Sequence, residues 1–132
     1  MQIEFIMLGA IIVLALVNIM WAANGRTKQY GIAWNMGPRD ETAMPPLNPL
    51  TGRLLRAQAN LYETLPLFIA ALLGAAAVGH LGWKTQAGAV LYFVGRLIYL
   101  PLYAAGVPKV RTLAWMVAMV GLLLTLWALL FG

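Results

Sequence analysis

The sequence predicts an all-α integral membrane protein, built as a bundle of four transmembrane helices. The composition is the first indication, because 62% of the 132 residues are hydrophobic and only 10% are charged. Soluble domains carry about 25% charged residues. The mean hydropathy of +0.80 agrees. The second indication is that four apolar stretches are each as long as the roughly 20 residues needed to cross a bilayer. We therefore expect a single membrane domain over residues 1–132, with the lipid bilayer as its surroundings.

The four apolar stretches follow one another with short polar interruptions. We place the predicted spans at residues 3–23, 57–79, 87–107 and 110–131. The segment 24–52 is rich in proline and in turn-forming residues, which predicts an ordered loop between the first two spans. Trp115 lies near the start of the fourth span and is interpreted as an anchor at the membrane interface.

The distribution of Lys and Arg predicts the orientation of the bundle. Of the nine Lys and Arg residues, Arg96 lies inside the third span, and seven of the other eight lie between spans one and two or where spans three and four meet. Only Lys84 lies in the remaining connection. Because short loops rich in Lys and Arg stay in the cytoplasm, the loop 24–52 is predicted to be cytoplasmic and both termini non-cytoplasmic.

Several residue types are scarce or missing, which limits the kinds of catalytic and metal site that the chain can form. The chain has no cysteine and one histidine, which excludes disulfides and cysteine nucleophiles and leaves little for a metal site, so no metal is expected. Nine Lys and Arg against four Asp and Glu give a net charge of +5. These charges are too few and too scattered for a nucleic-acid groove, so no nucleic-acid partner is expected.

Polar residues recur on one face of the second span and on one face of the third. Spacings of 3, 4 and 3 separate those of the second span, and spacings of 4, 3 and 4 those of the third: Arg53, Arg56, Asn60 and Glu63, then Tyr92, Arg96, Tyr99 and Tyr103. At about 100° per residue each set shares one side of its helix. Ionisable groups inside a membrane face the bundle interior by default. The pattern predicts a polar cleft that opens toward the cytoplasm, with Arg111 at its mouth.

The residue types in this cleft indicate its ligand. Arginines bind carboxylates in bidentate fashion, and Glu63 would pair with an ammonium group, so the cleft suits a small zwitterion with more than one acid group. A purely structural pair of Glu63 with Arg96 is the alternative, and it leaves the other arginines and the tyrosines unexplained. A channel or transporter is disfavoured, because the polar residues stop near the midplane.

These residues belong to longer motifs. The second span and the four residues before it contain Arg53-x-x-Arg56-Ala57-Gln58-Ala59-Asn60-x-x-Glu63-x-x-Pro66-Leu67-Phe68, and the third span contains Gly95-Arg96-Leu97-x-Tyr99-x-x-x-Tyr103. The fourth opens with Pro108-x-x-Arg111-Thr112. Together the motifs resemble the helix signatures of the MAPEG family, the membrane-associated proteins of eicosanoid and glutathione metabolism. The resemblance covers about residues 50–116.

The resemblance implies a homotrimer of four-helix subunits that binds glutathione between neighbouring subunits. With the polar faces described above, it marks eight candidate residues for binding glutathione: Arg53, Arg56, Gln58, Asn60, Glu63, Arg96, Tyr99 and Tyr103. It also implies that Arg111 holds the glutathione thiolate, which makes Arg111 the candidate catalytic residue. A cation at a helix N-terminus is chemically suited to this role, because both features favour an anion.

The expected activity is that of a glutathione-dependent membrane transferase or peroxidase of the microsomal glutathione S-transferase type. It would conjugate or reduce a small lipophilic electrophile, with glutathione as co-substrate. A non-catalytic membrane protein that binds glutathione, another small acid or lipid head groups is the alternative. The first loop, with Gly37-Pro38-Arg39-Asp40, resembles that of bacterial members, which implies a bacterial inner membrane and leaves the second substrate open.

Overall fold

A computed structural model describes all 132 residues, and it contains helices but no strands. The five helices are α1 (Ile3–Tyr30), α2 (Ile32–Met36), α3 (Pro49–Ala77), α4 (Trp83–Ala104) and α5 (Pro108–Phe131). All except α2 are long and apolar enough to cross a membrane. The predicted fold class, an all-α membrane protein with four transmembrane helices, is thereby confirmed.

The helices extend beyond the apolar stretches at the end of the bundle that carries the long loop. The α1 helix continues to Tyr30, and α3 begins at Pro49, well before the predicted span. Asn48 explains this early start, because its side chain accepts a hydrogen bond from the backbone N–H of Thr51 (2.9 Å) as an N-cap. Proline at the first helical position is also favourable. Hydropathy predicts which residues lie within the bilayer, whereas capping residues decide where a helix begins and ends.

The irregular part of the first connection is therefore limited to residues 37–48, and it folds back over the end of α1. The Gln29 side chain donates to the carbonyl of Pro46 (2.7 Å) and accepts from the backbone N–H of Asn48 (2.8 Å). The Tyr30 hydroxyl donates to the carbonyl of Pro45 (2.5 Å). These three hydrogen bonds attach the segment to the last turn of α1.

Polar contacts between helices lie among the apolar side chains of the core. The Asn18 amide of α1 donates to the carbonyl of Leu54 in α3 (3.1 Å). The hydroxyls of Thr64 and Tyr92 join α3 to α4 at 2.9 Å. Because lipid offers no hydrogen-bond partners, buried polar groups must find them within the protein. The pairs therefore tie neighbouring helices at defined positions.

The outer surface of the bundle is apolar. Large hydrophobic side chains are exposed on every long helix, for example Leu16 on α1, Leu67 on α3, Leu97 on α4 and Leu123 on α5. Exposed apolar side chains on all four long helices fit a lipid environment. The chain is an integral membrane protein.

Candidate functional site

A cavity of about 440 Å³ opens between α3, α4 and α5, at the end of the bundle where the long loop lies. We call it the main cavity. Its volume falls in the range of about 300–1,000 Å³ that is typical of small-molecule sites. Nine residues line it: Arg56, Ala59, Asn60, Glu63, Tyr99, Tyr103, Arg111, Thr112 and Trp115.

Helical spacing places most of the lining residues. On α3, Arg56, Asn60 and Glu63 stand at i, i+4 and i+7, so their side chains form one row along the cavity. On α4, Tyr99 and Tyr103 are one turn apart, and their rings meet edge to face with centroids 5.5 Å apart. The cavity thus has a charged wall on α3 and a phenolic wall on α4.

Arg111 lies in the first turn of α5, which begins at Pro108. Its guanidinium carbon sits 4.4 Å from the centre of the Tyr103 ring. Within the chain its Nε donates only a long hydrogen bond of 3.4 Å to the carbonyl of Pro108. The aromatic ring holds the guanidinium at the cavity wall, and its terminal nitrogens stay available for an anion.

The charges of the main cavity are two arginines and one carboxylate, Arg56, Arg111 and Glu63. In a ligand with acid groups and one amine, the acid groups would pair with the arginines and the amine with Glu63. The tyrosine hydroxyls and the Asn60 amide add hydrogen-bonding groups to the wall. The lining of the cavity therefore matches a compact, highly polar molecule in size and in charge.

A second cavity of about 230 Å³ adjoins the first and shares Arg56, Tyr103 and Arg111 with it. Arg53 belongs to this outer space, where its Nε donates to the carbonyl of Ala104 (2.8 Å). That hydrogen bond fixes Arg53 against the end of α4. No carboxylate lines this second cavity, so it forms a basic entrance to the main one.

Arg96 lies behind the cavity wall and does not line it. Its side chain is buried, with its guanidinium carbon 4.3 Å from the centre of the Tyr99 ring. Its terminal NH1 donates to Oδ1 of Asn60 (2.8 Å). The hydrogen bond of Arg96 across α3 and α4 is thus made with the Asn60 amide, and not with Glu63 as the structural alternative supposed.

The structure brings eight of the nine candidate site residues together. Six line the main cavity, Arg53 lines its entrance, and Arg96 stands behind it. Gln58 lines neither cavity, because it lies about half a turn away from Asn60 on α3.

Three of the lining residues were not predicted as site residues from the sequence: Ala59, Thr112 and Trp115. The interpretation of Trp115 as an interface anchor is incomplete, because its half-buried indole lines the main cavity. The signal was present in the spacing, since Trp115 follows Arg111 by four residues and therefore shares its helix face.

The structure contains no group of three or more His, Cys, Asp or Glu side chains that could hold a metal ion. The polar side chains of the main cavity are two arginines, one carboxylate, two phenols, an amide, a threonine hydroxyl and an indole.

Fold and site together define a small four-helix membrane protein with a polar cavity at one end of the bundle. The model of the MAPEG family matches residues 5–131, and the chain belongs to this family. No curated protein and no solved structure gave a significant match. Membership supports a membrane transferase-type function related to glutathione or eicosanoids, in a family that generally uses glutathione as substrate and is generally trimeric.

Proposed function

We propose that this protein is a glutathione-dependent membrane transferase or peroxidase of the microsomal glutathione S-transferase type. Glutathione is the co-substrate, and a small lipophilic electrophile dissolved in the bilayer is the second substrate. The observation that carries the proposal is the charge content of the main cavity. The main cavity and its entrance together hold three arginines and one glutamate, which correspond to the two carboxylates, the thiolate and the ammonium group of glutathione.

Binding is assigned to the row on α3 and to the basic entrance. Arg53 and Arg56 pair with the carboxylates of glutathione, because the planar guanidinium matches a carboxylate in two parallel hydrogen bonds. Glu63 takes the ammonium group. The amide of Asn60 and the hydroxyls of Tyr99 and Tyr103 hydrogen-bond the peptide groups, which orients the cysteine toward α5.

Arg111 is the proposed catalytic residue. A free thiol has a pKa of about 8.5, and neighbouring cations and helix N-termini lower it into the range of about 3.5–7.5. Both influences act here, since Arg111 carries a guanidinium and stands beside the N-terminus of α5. In conjugation the stabilised thiolate forms a C–S bond with the electrophile, as a leaving group departs or, in addition to a double bond, a proton is taken up from water. In peroxide reduction it attacks one peroxide oxygen as the O–O bond breaks, and a second glutathione then yields glutathione disulfide and water. No nucleophile from the protein is required, which is consistent with a chain that has no cysteine.

The oligomer is proposed to be a homotrimer with the ligand between subunits. Two features support this arrangement: the family is generally trimeric, and Arg56 and Glu63 remain exposed in the single subunit. A neighbouring subunit would close the open side of the main cavity. Gln58, which lies away from the cavity of its own subunit, would then contribute to the neighbouring one.

The proposed location is a bacterial inner membrane, with the main cavity on the cytoplasmic side and both termini on the other. The support is the asymmetry of Lys and Arg in the connections. The main cavity lies at the same end of the bundle as the long basic loop, where cytoplasmic glutathione would reach it.

Calorimetric titration of glutathione into the detergent-purified protein tests the proposal. We expect saturable binding that weakens at least tenfold in Glu63→Gln, because the ammonium loses its charged partner. Glu41→Gln is the matched control, since Glu41 is exposed on the first loop outside the main cavity. A well-folded oligomer that binds no glutathione would refute the proposal. Binding without turnover on any of a panel of lipophilic electrophiles would favour the non-catalytic alternative.

A further inference from the structure

Arg96 is a buried cation for which the proposed mechanism has no use. Its side chain is 2% exposed, and it lies within the membrane-spanning helix α4. Its terminal NH1 donates to the neutral Asn60 amide, and its Nε is buried with no partner. A charge in this position is costly to bury, so packing alone does not explain why an arginine stands here.

The chemistry of the two groups dictates how Asn60 is oriented. A guanidinium has only donors, so the atom of Asn60 that meets Arg96 at 2.8 Å has to be the carbonyl oxygen Oδ1. The planar amide then directs its NH2 group away from Arg96. Because Asn60 lines the main cavity and its Nδ2 has no hydrogen-bond partner in the chain, two N–H donors are left for a ligand.

We infer that Arg96 is a positioning residue for this site. It fixes the orientation of the Asn60 amide, so that Asn60 presents only N–H donors to the main cavity. The subsite therefore takes a carboxylate or a peptide carbonyl and rejects an ammonium group. The inference rests on the proposed binding of glutathione and deepens it, because it determines which end of the ligand lies at Asn60 and which at Glu63.

The need for such a lock follows from the neighbouring carboxylate. Glu63 lies one turn beyond Asn60 on the same face of α3 and also lines the cavity. An asparagine amide that turns over exchanges its oxygen for its nitrogen at almost no change in shape. A turned Asn60 would present an oxygen beside Glu63, and the ammonium group would have two competing acceptors. With the amide locked, Glu63 is the single place for the ammonium.

A double-mutant cycle on glutathione affinity tests the inference. Arg96→Gln replaces a pure donor by a group that accepts either orientation of Asn60, and we expect glutathione to bind about tenfold more weakly. Arg96→Lys keeps a pure donor and should retain most of the affinity. In an Asn60→Ala background, Arg96→Gln should have no further effect, because the amide through which it acts is gone.

Equal weakening by Arg96→Gln in both backgrounds would overturn the inference, since it would show that Arg96 acts on the fold and not through Asn60. Thermal unfolding of every variant in the same detergent is measured alongside. A loss of stability without coupling in affinity would overturn the inference as well.

A readout without ligand separates this inference from the proposed function. In protein labelled with ¹⁵N-asparagine, the side-chain signal of Asn60 is identified by its loss in Asn60→Ala. We expect one sharp pair of amide protons in wild type and in Arg96→Lys, and a shifted, broadened pair in Arg96→Gln. An unchanged signal in Arg96→Gln overturns the lock. If the wild type binds no glutathione, the proposed function fails, and the amide signal still decides the role of Arg96.

Discussion

Gly88 and Gly121 bring the backbones of α4 and α5 into direct contact. A Cβ atom added to Gly88 would lie 2.7 Å from the carbonyl oxygen of Gly121, and one added to Gly95 would lie 2.6 Å from the backbone nitrogen of Ala118. Small residues allow membrane helices to approach this closely. Because Tyr103 belongs to α4 and Arg111 to α5, the close contact of these helices also sets the distance between Tyr103 and Arg111 in the main cavity.

Gly88→Ala should therefore destabilise the protein by about 1–3 kcal/mol, the usual effect of forcing a methyl group into a filled contact. Thermal unfolding in detergent measures it. Gly9→Ala is the control, because Gly9 lies on α1 and a Cβ there meets nothing within 4 Å. Equal stability of the two variants would show that the crossing of α4 and α5 tolerates separation.

Arg111→Ala should abolish formation of the glutathione thiolate while leaving the fold intact. The thiol then returns toward its ordinary pKa of about 8.5, and the ultraviolet absorbance of bound thiolate at neutral pH disappears. Arg111→Lys should keep part of the signal, since it keeps the charge and loses the planar fork. Lys109→Ala is the control, an exposed cation in the same turn of α5 that lies outside the main cavity. Persistence of the thiolate signal in Arg111→Ala would remove Arg111 from its catalytic role.

Tyr92→Phe should destabilise the bundle by about 1 kcal/mol, because it removes the hydrogen bond between Tyr92 and Thr64 at 2.9 Å. The stacked contact with Phe68, whose ring centre is 4.2 Å from that of Tyr92, is retained. Thr64→Val should cost a similar amount, and the double variant should be little worse than either single one. Additive losses in chemical or thermal unfolding would mean that the two hydroxyls act independently.

Gln58→Ala should weaken glutathione binding if the ligand lies between subunits. Within one subunit Gln58 lines neither the main cavity nor its entrance, so a loss of affinity requires that the residue reach a neighbouring site. Gln86→Ala is the control, an exposed glutamine in the first turn of α4 at the opposite end of the bundle. Unchanged affinity in calorimetry, in a preparation shown to be trimeric, would place the whole site within one subunit.

The sequence by itself determined the fold class and the composition of one wall of the site. Four apolar stretches of bilayer length leave no other architecture, because each backbone group in lipid must be paired within its own helix. The row Arg56, Asn60 and Glu63 could also be predicted, since residues on one helix face follow from spacing alone. These are local properties, which depend on the helix and not on its neighbours.

Only the tertiary structure decided which residues meet across helices. The partner of Arg96 is Asn60, and the guanidinium of Arg111 lies over the ring of Tyr103. Both facts depend on how far each helix is rotated and shifted along its axis relative to the next. The rotation and shift of each helix are set by packing between residues that are distant in sequence, such as Gly88 and Gly121. The periodicity of a single helix carries no information about such contacts.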